Sequence, residues 1–402
     1  MISDWQECRI ADLCDSIDYG FTTSAKELPV GPRFLRITDI VSGHIDWKSV
    51  PHCEIDAEDI PGVRLNHGDV VIARTGATTG VSAYITNPPD AVFASYLVRL
   101  KVGPKADARF ISYFLKSADF WNYMRGVLGD KSAQPNASAR TMTQVKLRKP
   151  PLPVQRSIAS VLGVLDDKIE LNRRMNETLE ALARALFQNW FVDATQAGLP
   201  KGWREGKVND LATLSRDGLN PGEFPDETFD HYSIPAFDEG RTPKPEIGDT
   251  IKSNKFIVSP DCVLISKLNP RIPRVWLPDL RSANRAICST EFLVTTPKSG
   301  MSREFLFCLF TNETFVSMFT TMVTGTSGSH QRVKPESLLG MDAVIPPQSL
   351  IQSFTEMTAP LLERINHNIA DSRTLAALRD ALLPKLLSGE LRVPAKLTEA
   401  VA

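Results

Sequence analysis

The residues that could carry out chemistry in this chain assemble no reaction centre. NPPD (Asn87–Asp90) supplies three residues of the Asn-Pro-Pro-aromatic signature of amino-group methyl transfer, in which the ring stacks on a flipped-out base. Asp90 stands where the ring belongs, and no glycine-rich cofactor loop follows a strand at a suitable place, so the stretch reads as a turn. GATTG (Gly76–Gly80) has neither the lysine nor the spacing of a phosphate cradle. The six histidines (44, 52, 67, 231, 330 and 367) form no H-x-x-x-H pair that would put two imidazoles on one helix face. The six cysteines (8, 14, 53, 262, 288 and 308) lack C-x-x-C spacing and are expected to be reduced and mostly buried. PDCVLISK (Pro260–Lys267) lacks the acid two residues before its lysine that a metal-dependent nuclease core needs. No catalytic residue and no metal ligand is assigned, and the chain is not expected to be an enzyme.

The elements around these residues say more. With 402 residues, 42% hydrophobic and 23% charged, the chain has the composition of a globular protein of two or three domains. It contains no apolar run long enough for a membrane span and opens without a leader-like pattern, so an intracellular, cytoplasmic protein is expected. A formal net charge of -1 conceals two basic regions. Residues 99–149 hold eleven Lys or Arg against three Asp, and residues 241–285 hold nine against four acids, which suits a polyanion at either place.

The chain also repeats itself. WQECRIADL (Trp5–Leu13) matches WREGKVNDL (Trp203–Leu211), FISYFLKSADFW (Phe110–Trp121) matches FLFCLFTNETFV (Phe305–Val316), and GDVVIART (Gly68–Thr75) is set against PDCVLISK. Residues at helical spacing in Ile158–Trp190, among them Leu162, Leu165, Ile169, Leu179, Leu182 and Leu186, reappear 196 positions later from Phe354 through Thr358, Leu361, Ile365, Leu375, Leu378 and Leu382. The expected fold is α+β: two tandem mixed α/β domains separated by two long, antiparallel, coiled-coil-like helices, with an internal pseudo-twofold repeat. The boundaries are 1–149 for the first domain, 150–192 for the central helix, 193–202 for a Gly/Pro linker, 203–345 for the second domain, 346–390 for the C-terminal helix and 391–402 for a tail. Asn172 and its counterpart Asn368 fall on the apolar stripe, where an amide fixes helix register by penalising alignments that leave it without a partner. Pro360 is expected to weaken the second helix and Pro384 to end or kink it.

Several long motifs, in order, carry a resemblance: YGFTTSAKELPVGPRFLRITDI (Tyr19–Ile40), GDVVIARTGATTG (Gly68–Gly80), AVFASYLVRL (Ala91–Leu100), KSAQPNASA (Lys131–Ala139), LDDKIELNRRMNETLEALARALFQNWFVD (Leu165–Asp193), IPPQ (Ile345–Gln348) and LLPKLLSGEL (Leu382–Leu391). Together they resemble the specificity subunit of type I restriction–modification systems. The resemblance implies two target-recognition domains that each read half of a split duplex DNA sequence, with paired helices that set the spacer and dock two modification (adenine methyltransferase) subunits. Restriction subunits with translocase and nuclease activity join that assembly, and S-adenosylmethionine, ATP and magnesium belong to the partners, none to this chain.

The DNA-contacting candidates are polar residues in the Gly-bounded loops: Arg36, Thr38, Arg74, Thr75, Thr78, Thr79, Gln134 and Asn136 in the first domain, and Lys267, Asn269, Arg271, Arg274, Gln331 and Arg332 in the second. Lys255 and Lys334 suit phosphates. Partner contacts are expected from Lys168, Arg173, Arg174 and Glu177 on the first helix and from its aromatic end, Phe187, Trp190 and Phe191. Two competing classes are a stand-alone bivalent DNA-binding regulator, which would bind its split site without an enzyme partner, and a fused methyltransferase, which Asp90 and the missing cofactor loop oppose.

Overall fold

The computed structural model describes residues 5–129, 135–324 and 331–394. They form two units: the described residues up to Glu170 together with those from Thr374 onward, and Leu171–Arg373. Two long helices, Leu152–Phe187 and Gln348–Ser388, each contribute a stretch to both units.

In the first unit, β1 (Cys14–Tyr19), β2 (Val70–Ala73), β3 (Ser82–Tyr84) and β4 (Leu97–Val102) form an antiparallel sheet in the order β1-β4-β2-β3. The unbroken apolar run VVIA makes β2 a fully buried central strand. Arg99 on β4 is buried as well, because its guanidinium donates to Asp18 Oδ2 (2.7 Å) and to the carbonyls of Arg64 (2.6 Å) and Gly62 (2.9 Å). Gln6–Arg9 pairs antiparallel with Lys146–Lys149. Helix α1 (Ala108–Phe114) starts at Asp107, whose carboxylate accepts from the Phe110 N–H (2.8 Å), and it buries Phe110 and Phe114.

The second unit repeats this plan. Strands β5 (Ala212–Ser215), β6 (Val263–Ser266), β7 (Val275–Trp276) and β8 (Phe292–Pro297) are ordered β5-β8-β6-β7, Arg204–Lys207 pairs with Asp342–Ile345, and helix α2 (Arg303–Thr311) is capped by Ser302. The additional sheet differs, with four strands in the first unit and five in the second. Both halves are thus mixed α/β, and they diverge most where the sequence does.

Within each unit the two helix stretches run antiparallel. In the first, Asp166 accepts from Arg379 (2.7 Å), while Ile158 and Leu162 share a core with Leu383 and Leu386. In the second, Asn172 meets Asp371 (2.9 Å) and Ser372 (3.2 Å), Asn176 meets Asn368 (2.8 Å), and Phe187 meets Phe354. Three sequence expectations change. Pro384 does not end the second helix and Pro360 does not interrupt it: both lie on exposed positions, where the carbonyl freed one turn earlier can bond water. The helix stops at Ser388, ahead of Gly389 with φ +76°. Leu182 and Leu378 leave the stripe, each 47% exposed. A three-four spacing drifts around a straight helix, so its outer members turn to solvent.

Candidate nucleic-acid interface

In both units the chain leaving the central strand is held by one main-chain frame. Arg74, just after β2, donates its N–H to the Tyr96 carbonyl (2.9 Å) and accepts from the Ala137 N–H (2.9 Å). Gly76 donates to the Pro135 carbonyl (2.9 Å), and Thr75 bridges Asn136. In the second unit Lys267, just after β6, donates to the Glu291 carbonyl (3.0 Å) and accepts from Val333 (3.0 Å), Asn269 donates to Gln331 (2.9 Å), and Leu268 bridges Arg332. Gly76 (φ +80°) and Asn269 (φ +47°) both hold the left-handed conformation that this turn requires. Arg74 is therefore the counterpart of Lys267, one residue off the sequence match, which set Thr75 there. Tyr96 corresponds to Glu291, and Asn136 to Arg332.

The side chains on this shared frame differ in chemistry. In the first unit the Arg74 guanidinium lies 4.8 Å from the centroid of the Tyr19 ring, and its Nε is buried without a hydrogen-bond partner. Tyr19 is itself fixed, since its hydroxyl accepts from the Ala139 N–H (3.0 Å). Tyr19 and Tyr96 are 44% and 59% exposed, and neither was singled out in the sequence. Thr75 and Thr78 are half-buried and Asn136 is exposed beside this cation. Thr79 is a correction: it is buried, and its hydroxyl donates to the carbonyls of Gly76 (2.7 Å) and Pro135 (3.1 Å), so it closes the turn and cannot read bases. Arg36 and Thr38 occupy a different turn, where Asp39 takes two hydrogen bonds from the guanidinium (3.0 and 3.1 Å) and one from the Thr38 hydroxyl. Gln134 lies outside the described residues.

The second frame is more neutral. Glu291, in the place of Tyr96, accepts three hydrogen bonds from Arg332 (2.9–3.2 Å), which occupies that guanidinium and raises its pKa. Lys267 and Gln331 are half-buried, and Arg271 and Lys334 are exposed. Asn269 turns its amide oxygen inward, buried without a partner. Two expectations are overturned here. Arg274 is buried and held bidentate by Asp238 (2.7 and 2.9 Å), and Lys255 is buried with its ammonium on Ser253 (2.7 and 2.9 Å), its pKa pushed down by burial. Both are held within the fold by partners of this chain.

On the first long helix, Lys168 and Arg173 are half-buried while Arg174 and Glu177 are exposed, and Arg173 pairs with Glu177. Phe187 and Phe191 are buried in the second unit's own core, against Phe305 and Phe354, so the expected partner contact there does not hold. Trp190 is half-buried beside Phe354. Asn172 and Asn368 are both buried, and each donates to the residue that follows the other's position by one turn, Ser372 and Asn176 respectively. Among the described residues no group of three or more His, Cys, Asp or Glu converges on a metal position, and no helix is long and apolar enough to cross a membrane.

Comparison with known proteins gives four findings. A family model described as the type I restriction modification DNA specificity domain matches residues 2–181. The type I restriction enzyme MjaIX specificity subunit of Methanocaldococcus jannaschii is 26% identical over 81% of this chain and 76% of its own. The HindI specificity subunit of Haemophilus influenzae is 22% identical over 97% of this chain and 100% of its own. The crystal structure of a type I restriction–modification S subunit from M. genitalium shares the fold, with a TM-score of 0.56 at 13% identity over 95% of this chain and 96% of that one.

Proposed function

Because the chain belongs to the type I restriction–modification specificity subunits, whose role is DNA sequence specificity, we propose that it is a non-catalytic reader of a bipartite duplex target and the scaffold of its complex. Each unit reads one half-site through the loops framed after β2 and β6. The paired helices set the spacer, and their exposed polar flanks, Arg174 and Glu177 included, dock two adenine methyltransferase subunits. Restriction subunits with translocase and nuclease activity join them in the cytoplasm. S-adenosylmethionine, ATP and magnesium are bound by those partners. The observation that carries this reading is one backbone frame, present twice, bearing unlike side chains: Arg74, Thr75 and Asn136 in one, Lys267, Leu268 and Arg332 in the other. A scaffold built to recognise two different half-sites needs that combination.

The test is genome-wide mapping of methylated adenines in cells carrying the methyltransferase partner, with and without this chain. A split motif should appear only with it. Exchanging residues 203–345 for those of another such subunit should change one half of the motif, and a change in both halves would refute the assignment of one reader to each half.

A further inference from the structure

Resting on that reading, we infer that Arg74 reads a guanine in the first half-site, and that Tyr19 is the positioning residue that presents it. Most of the other candidate arginines already have an acid. Arg36 is occupied by Asp39, Arg274 by Asp238 and Arg332 by Glu291. Arg74 has no carboxylate partner among the described residues; its guanidinium lies on an exposed aromatic ring instead.

The geometry narrows what this cation can do. Main-chain bonds on both sides fix its backbone, and its Nε is buried, so hydrogen bonds to a ligand must come from the two terminal nitrogens. The Tyr19 ring, its centroid 4.8 Å from the guanidinium carbon, restrains where those nitrogens can lie. Tyr19 cannot swing away readily, because it ends β1 and its hydroxyl accepts from the Ala139 N–H. A planar fork with a restrained orientation matches the two acceptors on the major-groove edge of guanine, O6 and N7, and no other base offers that pair. A phosphate can accept the same fork, but it carries no sequence, so the dependence on base identity separates the two. Thr75 and Thr78 on the same loop, and Asn136 bridged to Thr75, carry uncharged hydrogen-bonding side chains of the kind that line a base edge.

The experiment uses the full chain in complex with its methyltransferase subunits, acting on duplexes in which each position of the first half-site is varied in turn. Wild type should require guanine at one position. Arg74→Ala and Arg74→Gln should lower the preference for guanine there by roughly 5- to 150-fold, the range for losing one bidentate base contact. Selectivity in the second half-site, read by the same molecules, should be unchanged, which also reports that the variants are folded. Tyr19→Leu should weaken the same preference, and Tyr19→Phe, which keeps the ring but loses the Ala139 bond, should weaken it less. Arg74 variants that keep full guanine selectivity, or that weaken all duplexes equally as loss of a phosphate contact would, overturn the inference and leave the two-reader assignment standing. Wild type that directs no split motif overturns both.

Discussion

The two units attach equivalent helices to the long helices by different means. In the first, α1 adds charge to the apolar packing it shares with the long helix. Arg109 bonds Asp167 (3.1 Å) and the Gly163 carbonyl (3.1 Å), and the Tyr113 hydroxyl donates to Asp166 (2.7 Å), which also holds Arg379. A Cβ at Gly163 would sit 2.6 Å from the guanidinium carbon, so glycine there lets Arg109 keep this seat. In the second, α2 meets the long helix through rings: Phe191 lies 5.0 Å from both Phe305 and Phe354, with Phe187 alongside. One buried carboxylate remains there, Glu180, which takes Arg184 (2.7 Å) and Arg241. Topology and N-cap position are shared, so neither dictates how the interface is held. Charge makes one attachment sensitive to salt, and apolar area makes the other indifferent to it.

The largest effect that sharpens this contrast is Phe354→Ala. Removing a fully buried ring from the aromatic cluster should cost about 3–5 kcal/mol in urea unfolding, by the same amount at low and high salt. Asp166→Ala should cost about 2 kcal/mol, because it strands the buried Tyr113 hydroxyl and removes one of the two carboxylates that hold Arg379, leaving Asp380. That deficit should shrink in about 1 M salt, where screening weakens the wild-type pair. Equal salt responses in the two variants would break the comparison. Asn172→Leu should raise the melting temperature slightly, since the buried amide oxygen has no partner. It should also broaden the spin-label distance distribution between positions 177 and 364 of the second unit, as alternative registers lose their penalty.

The smallest effect is the second unit's response to acid. Burial holds the His231 imidazole below its ordinary pKa, although Glu246 lies 3.0 Å away and favours the charged form. The unfolded chain therefore binds the proton at a higher pH than the folded one. The contribution is intact above about pH 6.5 and is lost as pH falls through the depressed folded value. His231→Gln should reduce the drop in urea midpoint between about pH 7.5 and about pH 5.5, an effect under ~1 kcal/mol after solvent screening.

The features legible in the sequence were those with internal period or internal copy. Self-similarity announced the duplicated sheets, and the apolar spacing announced both long helices with Asn172 and Asn368 on one stripe. What escaped depends on partners distant along the chain. Arg274 looks like a loop cation until Asp238, 36 residues away, is brought beside it, and Lys255, though held by its near neighbour Ser253, gives no sign that the strands around it will bury it. Tyr19 looks like a strand residue, and its ring becomes a platform only when the loop holding Arg74 is laid across it. Phe187 and Phe191 resembled an exposed aromatic end because their covering residues, Phe305 and Phe354, lie more than a hundred positions later.

The frame behind β2 and β6 is closed by amide and carbonyl groups that every residue possesses, apart from the missing N–H of proline. Mutation can therefore replace what projects from it without dismantling the fold beneath. A lineage pressed to abandon one target and adopt another needs only a few surface changes, and the two halves of its recognition can evolve on separate schedules.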